Sequence, residues 1–205
     1  MSVGVNGSSD RAIIRAEDVG RRFGGRPVLS GIDVEVDPGD FLLVTGPNGS
    51  GKTTLLRLLV GLLAPTAGAL EVRVERGSIG FLGHEPLVYR ELTAVENLDL
   101  YGRLYRVAER RERIGMLLER FGLWDARGEV TSTFSRGMLQ RLALCRSLLH
   151  DPQLLVLDEP FSALDAEGAE LLDAELAAHG SRTVVVASHQ PERVAALATG
   201  RLALT

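Results

Sequence analysis

Residues 12–19, AIIRAEDV, and 32–37, IDVEVD, alternate apolar and charged side chains with a period of two. Each predicts a strand with one buried face. LEVRVE (70–75) repeats that pattern. FLLVT (41–45), SIGFL (78–82) and LLVLD (154–158) are short unbroken apolar runs, which suit strands covered on both faces, and TVVVAS (183–188) predicts a further strand. Helical spacing replaces these patterns elsewhere. TLLRLLVGLL (54–63) has helical apolar content. In ERRERIGMLLERFGL, Ile114, Leu117, Leu118 and Phe121 fall at i, i+3, i+4 and i+7, an amphipathic helix with an Arg/Glu outer face. Thr93 and Glu96 have capping-box spacing ahead of a helix through ENLDLYGRLY. A further helix is predicted from about Ser135 to Leu149, stopping at Asp151-Pro152. AELLDAELAAHG predicts a helix ending at Gly180, and PERVAALA one with Pro191 in its first turn. RLALT supplies a last short strand.

Strands thus alternate with helices, except from about residue 86 to 150, where the pattern is mostly helical. That order predicts a mainly parallel sheet with right-handed crossovers and an inserted helical subdomain. A chain of 205 residues suffices for one such domain. MSVGVNGSSD (1–10) is Gly/Ser-rich, without a basic or an apolar region, and is expected to be a flexible tail, not a signal peptide. No apolar stretch approaches the roughly 20 residues that span a bilayer, so work at a membrane would require another chain.

Composition narrows the partners. The apolar fraction of 45% and charged fraction of 24% are those of an ordinary soluble domain. A net charge of −4 argues against a nucleic-acid partner. Cys145 is the single cysteine, so no internal disulfide can form, and its place in LQRLALCRSLL predicts a small core residue, not a nucleophile. Lys52 is the only lysine among 23 Lys and Arg residues. A chain that avoids lysine everywhere else has kept one here.

That lysine lies in GPNGSGKT (46–53), which fits G-x-x-x-x-G-K-[ST] and stands between a buried strand and a helix, as the mechanism of a phosphate loop requires. Gly46, Gly49 and Gly51 let the backbone bend around phosphate, with Pro47 and Ser50 in the same turn. The amides from Asn48 to Thr54 are expected to point inward at a helix N-terminus that favours anions. Lys52 would reach the β- and γ-phosphates, and Thr53 would offer its hydroxyl to Mg²⁺. Arginine could not replace that compact charge in the cradle. LLVLDEP (154–160) supplies the other half: Asp158 at the C-terminal edge of a strand for Mg²⁺, and Glu159 as general base for an attacking water. A Ras-type GTPase is excluded, because its guanine-reading N/T-K-x-D motif needs a second lysine.

Together with these motifs, FSRGMLQR (134–141), SALD (162–165) and His189 come in the order seen in ABC ATPases. The sequence resembles that family over nearly its whole length. The resemblance implies a P-loop NTPase fold of RecA-like type: an α/β core with a mainly parallel sheet, an N-terminal antiparallel β portion and the inserted helical subdomain. It implies ATP and Mg²⁺ as ligands. It implies a homodimer formed head to tail on ATP binding, in which Ser135, Arg136 and Gly137 of one chain complete the site of the other. Asp165 would lie at that interface, His189 would contact the γ-phosphate and the water, and Phe23 in VGRRFGG would stack on adenine. The signature segment departs from the usual LSGGQ, with Arg136 in place of a glycine and Met138 in place of a glutamine. Arg136 either touches phosphate or points to solvent.

His84, in FLGHEPLVYREL, occupies a position that the family usually fills with glutamine to contact Mg²⁺ and water. Neutral imidazole, with one donor and one acceptor, can take the same contacts. FLGHEP followed by ELTAVENL is most similar to the ATP-binding subunits of the haem exporters of cytochrome c maturation. The resemblance therefore implies a peripheral ATPase on the cytoplasmic face of the inner membrane, driving an integral membrane permease of that pathway. The alternative keeps the chemistry and changes the cargo to a drug, lipid or polysaccharide. A soluble ABC protein acting on ribosomes or DNA is disfavoured by the lack of a second ATPase unit or a long coiled-coil insertion.

Overall fold

The computed structural model describes residues 11–205, so the tail expected at 1–10 lies outside the described residues. Strands β1 (Ile14–Phe23), β2 (Arg26–Val36) and β4 (Ala67–Val72) form an antiparallel sheet in the order β2-β1-β4. β1 and β2 run further than their alternation predicts, into a hairpin closed at Gly24-Gly25, both with positive φ. Such a turn matches the right-handed twist of the flanking strands. The alternation fails in β1 because the register slips between Ala16 and Val19. Asp18 sits there at φ 49° and donates its N–H to Asp33 Oδ1 at 2.8 Å. β4 starts earlier than LEVRVE and ends at Val72, half-way through it.

The second sheet is parallel, in the order β5-β6-β7-β3-β8. It comprises β3 (Phe41–Thr45), β5 (Ile79–Leu82), β6 (Leu154–Asp158), β7 (Thr183–Ala187) and β8 (Gly200–Ala203). The unbroken apolar runs are explained by its two covered faces. Leu42, Val44, Leu154, Val156 and Val185 pack toward α1 (Lys52–Leu59) and the antiparallel sheet. Their neighbours Leu43, Leu155, Leu157, Val184 and Val186 pack toward the remaining helices.

Those helices are α2 (Ala94–Leu104), α3 (Arg110–Arg120), α4 (Arg136–Leu148) and α5 (Ala166–Ala177). The Thr93/Glu96 capping box closes as expected, with both reciprocal bonds present. The α3 stripe Ile114, Leu117, Leu118 and Phe121 is buried. α4 is buried along all of Leu139–Leu148, threaded between the sheet and the other helices of the subdomain. Cys145 lies inside that packing, and burial pushes its thiol pKa up, which leaves it inert. The helix expected from Pro191 is not formed beyond one 3₁₀ turn, Pro191–Arg193. Seven residues later the chain must enter edge strand β8, and Thr199 already donates its N–H to Phe41 O.

A chain of charges ties α3 to the core. Arg113 lies 3.5 Å from Asp151, Asp151 3.0 Å from Arg182, and Arg182 3.1 Å from Glu175. Glu175, on α5 and buried, also meets Arg120 at 2.7 Å.

Candidate functional site

β3 ends at Thr45, and the next six residues turn the chain into α1. Two glycines make the turn possible. At Gly46, φ 148°, a Cβ would come within 2.5 Å of Leu204 O. At Gly51, the N-cap of α1 with φ 96°, a Cβ would come within 2.6 Å of Leu29 Cδ2. A side chain at Gly46 would push against the backbone at Leu204, and one at Gly51 against the Leu29 side chain. Lys52 folds back over the loop and donates to Gly46 O at 2.8 Å and Pro47 O at 3.2 Å. Its ammonium is buried and lies 4.0 Å from Glu159 Oε1.

The acidic half comes from the end of β6. Asp158 is only 2% exposed, and neither carboxylate oxygen has a hydrogen-bond partner. A buried carboxylate left so calls for a cation, since desolvating it alone is costly. Glu159, φ 50°, donates its N–H to Ala187 O at 2.9 Å. Its Oε2 accepts the His189 backbone N–H at 2.9 Å, and its Oε1 lies 3.2 Å from His189 Nε2. The ends of β6 and β7 therefore hold the carboxylate and the imidazole as one unit.

Phosphate loop and acidic strand face each other across a cavity of about 460 Å³. Asn48, Gly49, Gly51, Lys52, Thr53, Thr54, His84, Asp158, Glu159 and His189 all line it. Thr53 and Asp158 bring a hydroxyl and a carboxylate, the oxygen donors that suit Mg²⁺. Among the described residues no cluster of three or more His, Cys, Asp or Glu could hold a metal by itself. Mg²⁺ shared between one or two side chains, phosphate and water needs no such cluster. Gly46, Pro47 and Ser50 build the loop without lining the cavity, and the Ser50 hydroxyl is buried against Gly46.

His84 reaches the cavity two residues beyond β5. The segment after it is anchored to α2. Asn97, buried, accepts the Tyr89 N–H at 2.8 Å and donates to Tyr89 O at 3.0 Å, while the Tyr101 hydroxyl donates to Leu87 O at 2.9 Å. Arg146 of α4 donates to Phe81 O at 2.9 Å, just ahead of it.

The remaining expected residues lie off the cavity. Phe23 is 43% exposed at the end of β1, with the Arg21 guanidinium 4.6 Å from its ring. Ser135 caps α4, accepting the Met138 N–H at 3.2 Å, with Arg136 exposed beside it. Gly137 packs toward Ala163 O. Asp165 caps α5, accepting the Gly168 N–H at 2.9 Å. The sequence reading omitted that second role, although an Asp directly ahead of a helical run signals it. It also omitted Val28 and Ser162, which line the cavity, and Gln140, which donates to Pro160 O at 3.1 Å. Ser162 and Gln140 lie inside the SALD and FSRGMLQR segments, whereas no local pattern marks Val28.

A family profile described as ABC transporter matches residues 29–162. The cytochrome c biogenesis ATP-binding export protein CcmA of Pseudomonas putida is 42% identical over 82% of this chain and 85% of its own length. The daunorubicin resistance ATP-binding protein DrrA3 of Streptomyces coeruleorubidus is 39% identical over 86% of this chain, which spans 60% of that relative. A dimeric ATP-binding cassette solved in a post-hydrolysis state with ADP and Pi superposes with a TM-score of 0.81 at 27% identity, covering 94% of both chains. With the cavity's arrangement, these likenesses establish that the chain belongs to the ABC transporter family and carries its ATP-binding domain.

Proposed function

We propose that the chain is the ATP-hydrolysing subunit of an ABC transporter that energises haem export, or release of a haem chaperone, in c-type cytochrome biogenesis. The observation that carries the chemistry is the single cavity lined by Lys52, Asp158, Glu159 and His189. The amides of Asn48–Thr54 and the Lys52 ammonium bind the phosphates, and Phe23 stacks on adenine. Thr53, Asp158 and His84 would hold Mg²⁺, which when bound would supply charge stabilisation to the phosphates. Glu159 takes a proton from the water whose oxygen attacks the γ-phosphorus, while the bond from that phosphorus to the bridging oxygen breaks, leaving ADP and phosphate. His189, against the Glu159 carboxylate, orients it and the γ-phosphate.

Ser135, Arg136 and Gly137, at the exposed start of α4, act on the site of a second copy, and Asp165 stands beside them at the shared face. No helix among the described residues is long and apolar enough to cross a membrane. The proposed output is an integral permease of the cytochrome c pathway, reached from the cytoplasmic face of the inner membrane through the segment after His84. Support for this cargo comes from His84 and from the CcmA likeness, which spans most of both chains. The DrrA3 likeness favours a second reading, drug export. Deleting the chain's gene and staining membranes for covalently bound haem separates them. Loss of c-type cytochromes, restored by the wild-type chain and not by Lys52→Ala, is expected. Intact cytochromes with increased drug sensitivity would replace the haem reading by the second one.

A further inference from the structure

Glu159 sits at φ 50°, a conformation that costs a non-glycine residue about 1 kcal/mol or more unless its surroundings impose it. Several contacts impose it from the core: its N–H on Ala187 O, the Ser162 N–H on its carbonyl at 3.1 Å, and the His189 N–H on its carboxylate. Gln140 adds one from α4, outside the strands that carry the turn. It is 4% exposed, inside α4, and its Nε2 donates to the carbonyl of Pro160, the residue directly after Glu159. Among the described residues this is the hydrogen bond to the turn that the helical subdomain contributes. Gln140 is also rigidly connected to Ser135, five positions earlier, through the first turns of the same helix.

We propose that Gln140 is a positioning residue for hydrolysis: through Pro160 it makes the orientation of the Glu159 carboxylate depend on the placement of α4. The proposal rests on Glu159 being the base. A carbonyl free to rotate at position 160 would loosen the turn, and a small misplacement of a catalytic group is enough to slow a reaction strongly. Gln140→Met keeps the side-chain length and removes the donor.

The test is a double-mutant cycle on the full chain with Glu159→Gln, following steady-state and single-turnover ATP hydrolysis, ATP affinity and Tm. Gln140→Met is expected to lower kcat about tenfold while ATP KM stays within about twofold, and to cost little further once Glu159 is already Gln. Gln140→Ala must give the same non-additive pattern. Full additivity, an unchanged kcat, or loss of ATP affinity and Tm in parallel with kcat in both variants each overturns the proposal. If Glu159→Gln alone hydrolyses ATP at the wild-type rate, the base assignment fails instead, so the two failures are told apart.

Discussion

His84 enters the cavity from a segment held by Asn97, Tyr101 and Arg146, so its reach is set by α2 and α4 rather than by the phosphate loop. Imidazole and carboxamide each offer one acceptor and at least one donor from a planar group. His84→Gln should therefore retain most hydrolysis, whereas His84→Ala should raise the Mg²⁺ concentration needed for half-maximal hydrolysis by roughly tenfold, the loss typical of one supporting metal contact. A Mg²⁺ titration reads this directly, and coincident curves for His84→Ala and wild type would remove His84 from the site. The phosphate loop was legible from sequence because its chemistry is local: nine consecutive residues supply the bend, the amides and the charge. Motif order proposed roles for Asp158, Glu159 and His189, and the structure brings the three to one cavity, but their mutual contacts were not legible. Nothing in the sequence says that His189 donates its own backbone N–H to Glu159, or that Gln140 holds Pro160 from 20 positions away.

Elements were legible where packing follows one rule along their length. The α3 stripe and the two-faced strands β3, β6 and β7 obey a single period, and each formed as expected. β1 obeys its period only up to the bulge at Asp18, and the helix expected from Pro191 yields to the return of the chain into β8. The charged face of α3 reads in sequence as a solvated surface, yet Arg120 and Arg113 grip Glu175 and Asp151 on the core. Glu175→Ala would leave Arg182 largely buried without that partner. Breaking such a pair from one side costs about 3 kcal/mol, so urea denaturation should show a loss near that size. Arg120→Ala should cost clearly less, since Arg120 is 43% exposed. Equal losses would show that Glu175 acts through Arg120 alone.

Across the whole molecule, the cavity and the α4 start are separate surfaces of one chain, so the proposed action of Ser135–Gly137 on bound nucleotide requires a second copy. Glu159→Gln with ATP and Mg²⁺ is expected to run as a dimer in size-exclusion chromatography, and as a monomer when Lys52→Ala is added. A Glu159→Gln monomer at saturating ATP would break the two-copy reading. The carboxylate of Asp158 carries this further. A cation held at this buried carboxylate would stabilise the folded chain, since whatever binds only the folded form does so by mass action. Nucleotide with Mg²⁺ is therefore expected to raise the Tm of the purified chain and to slow its digestion by an added protease.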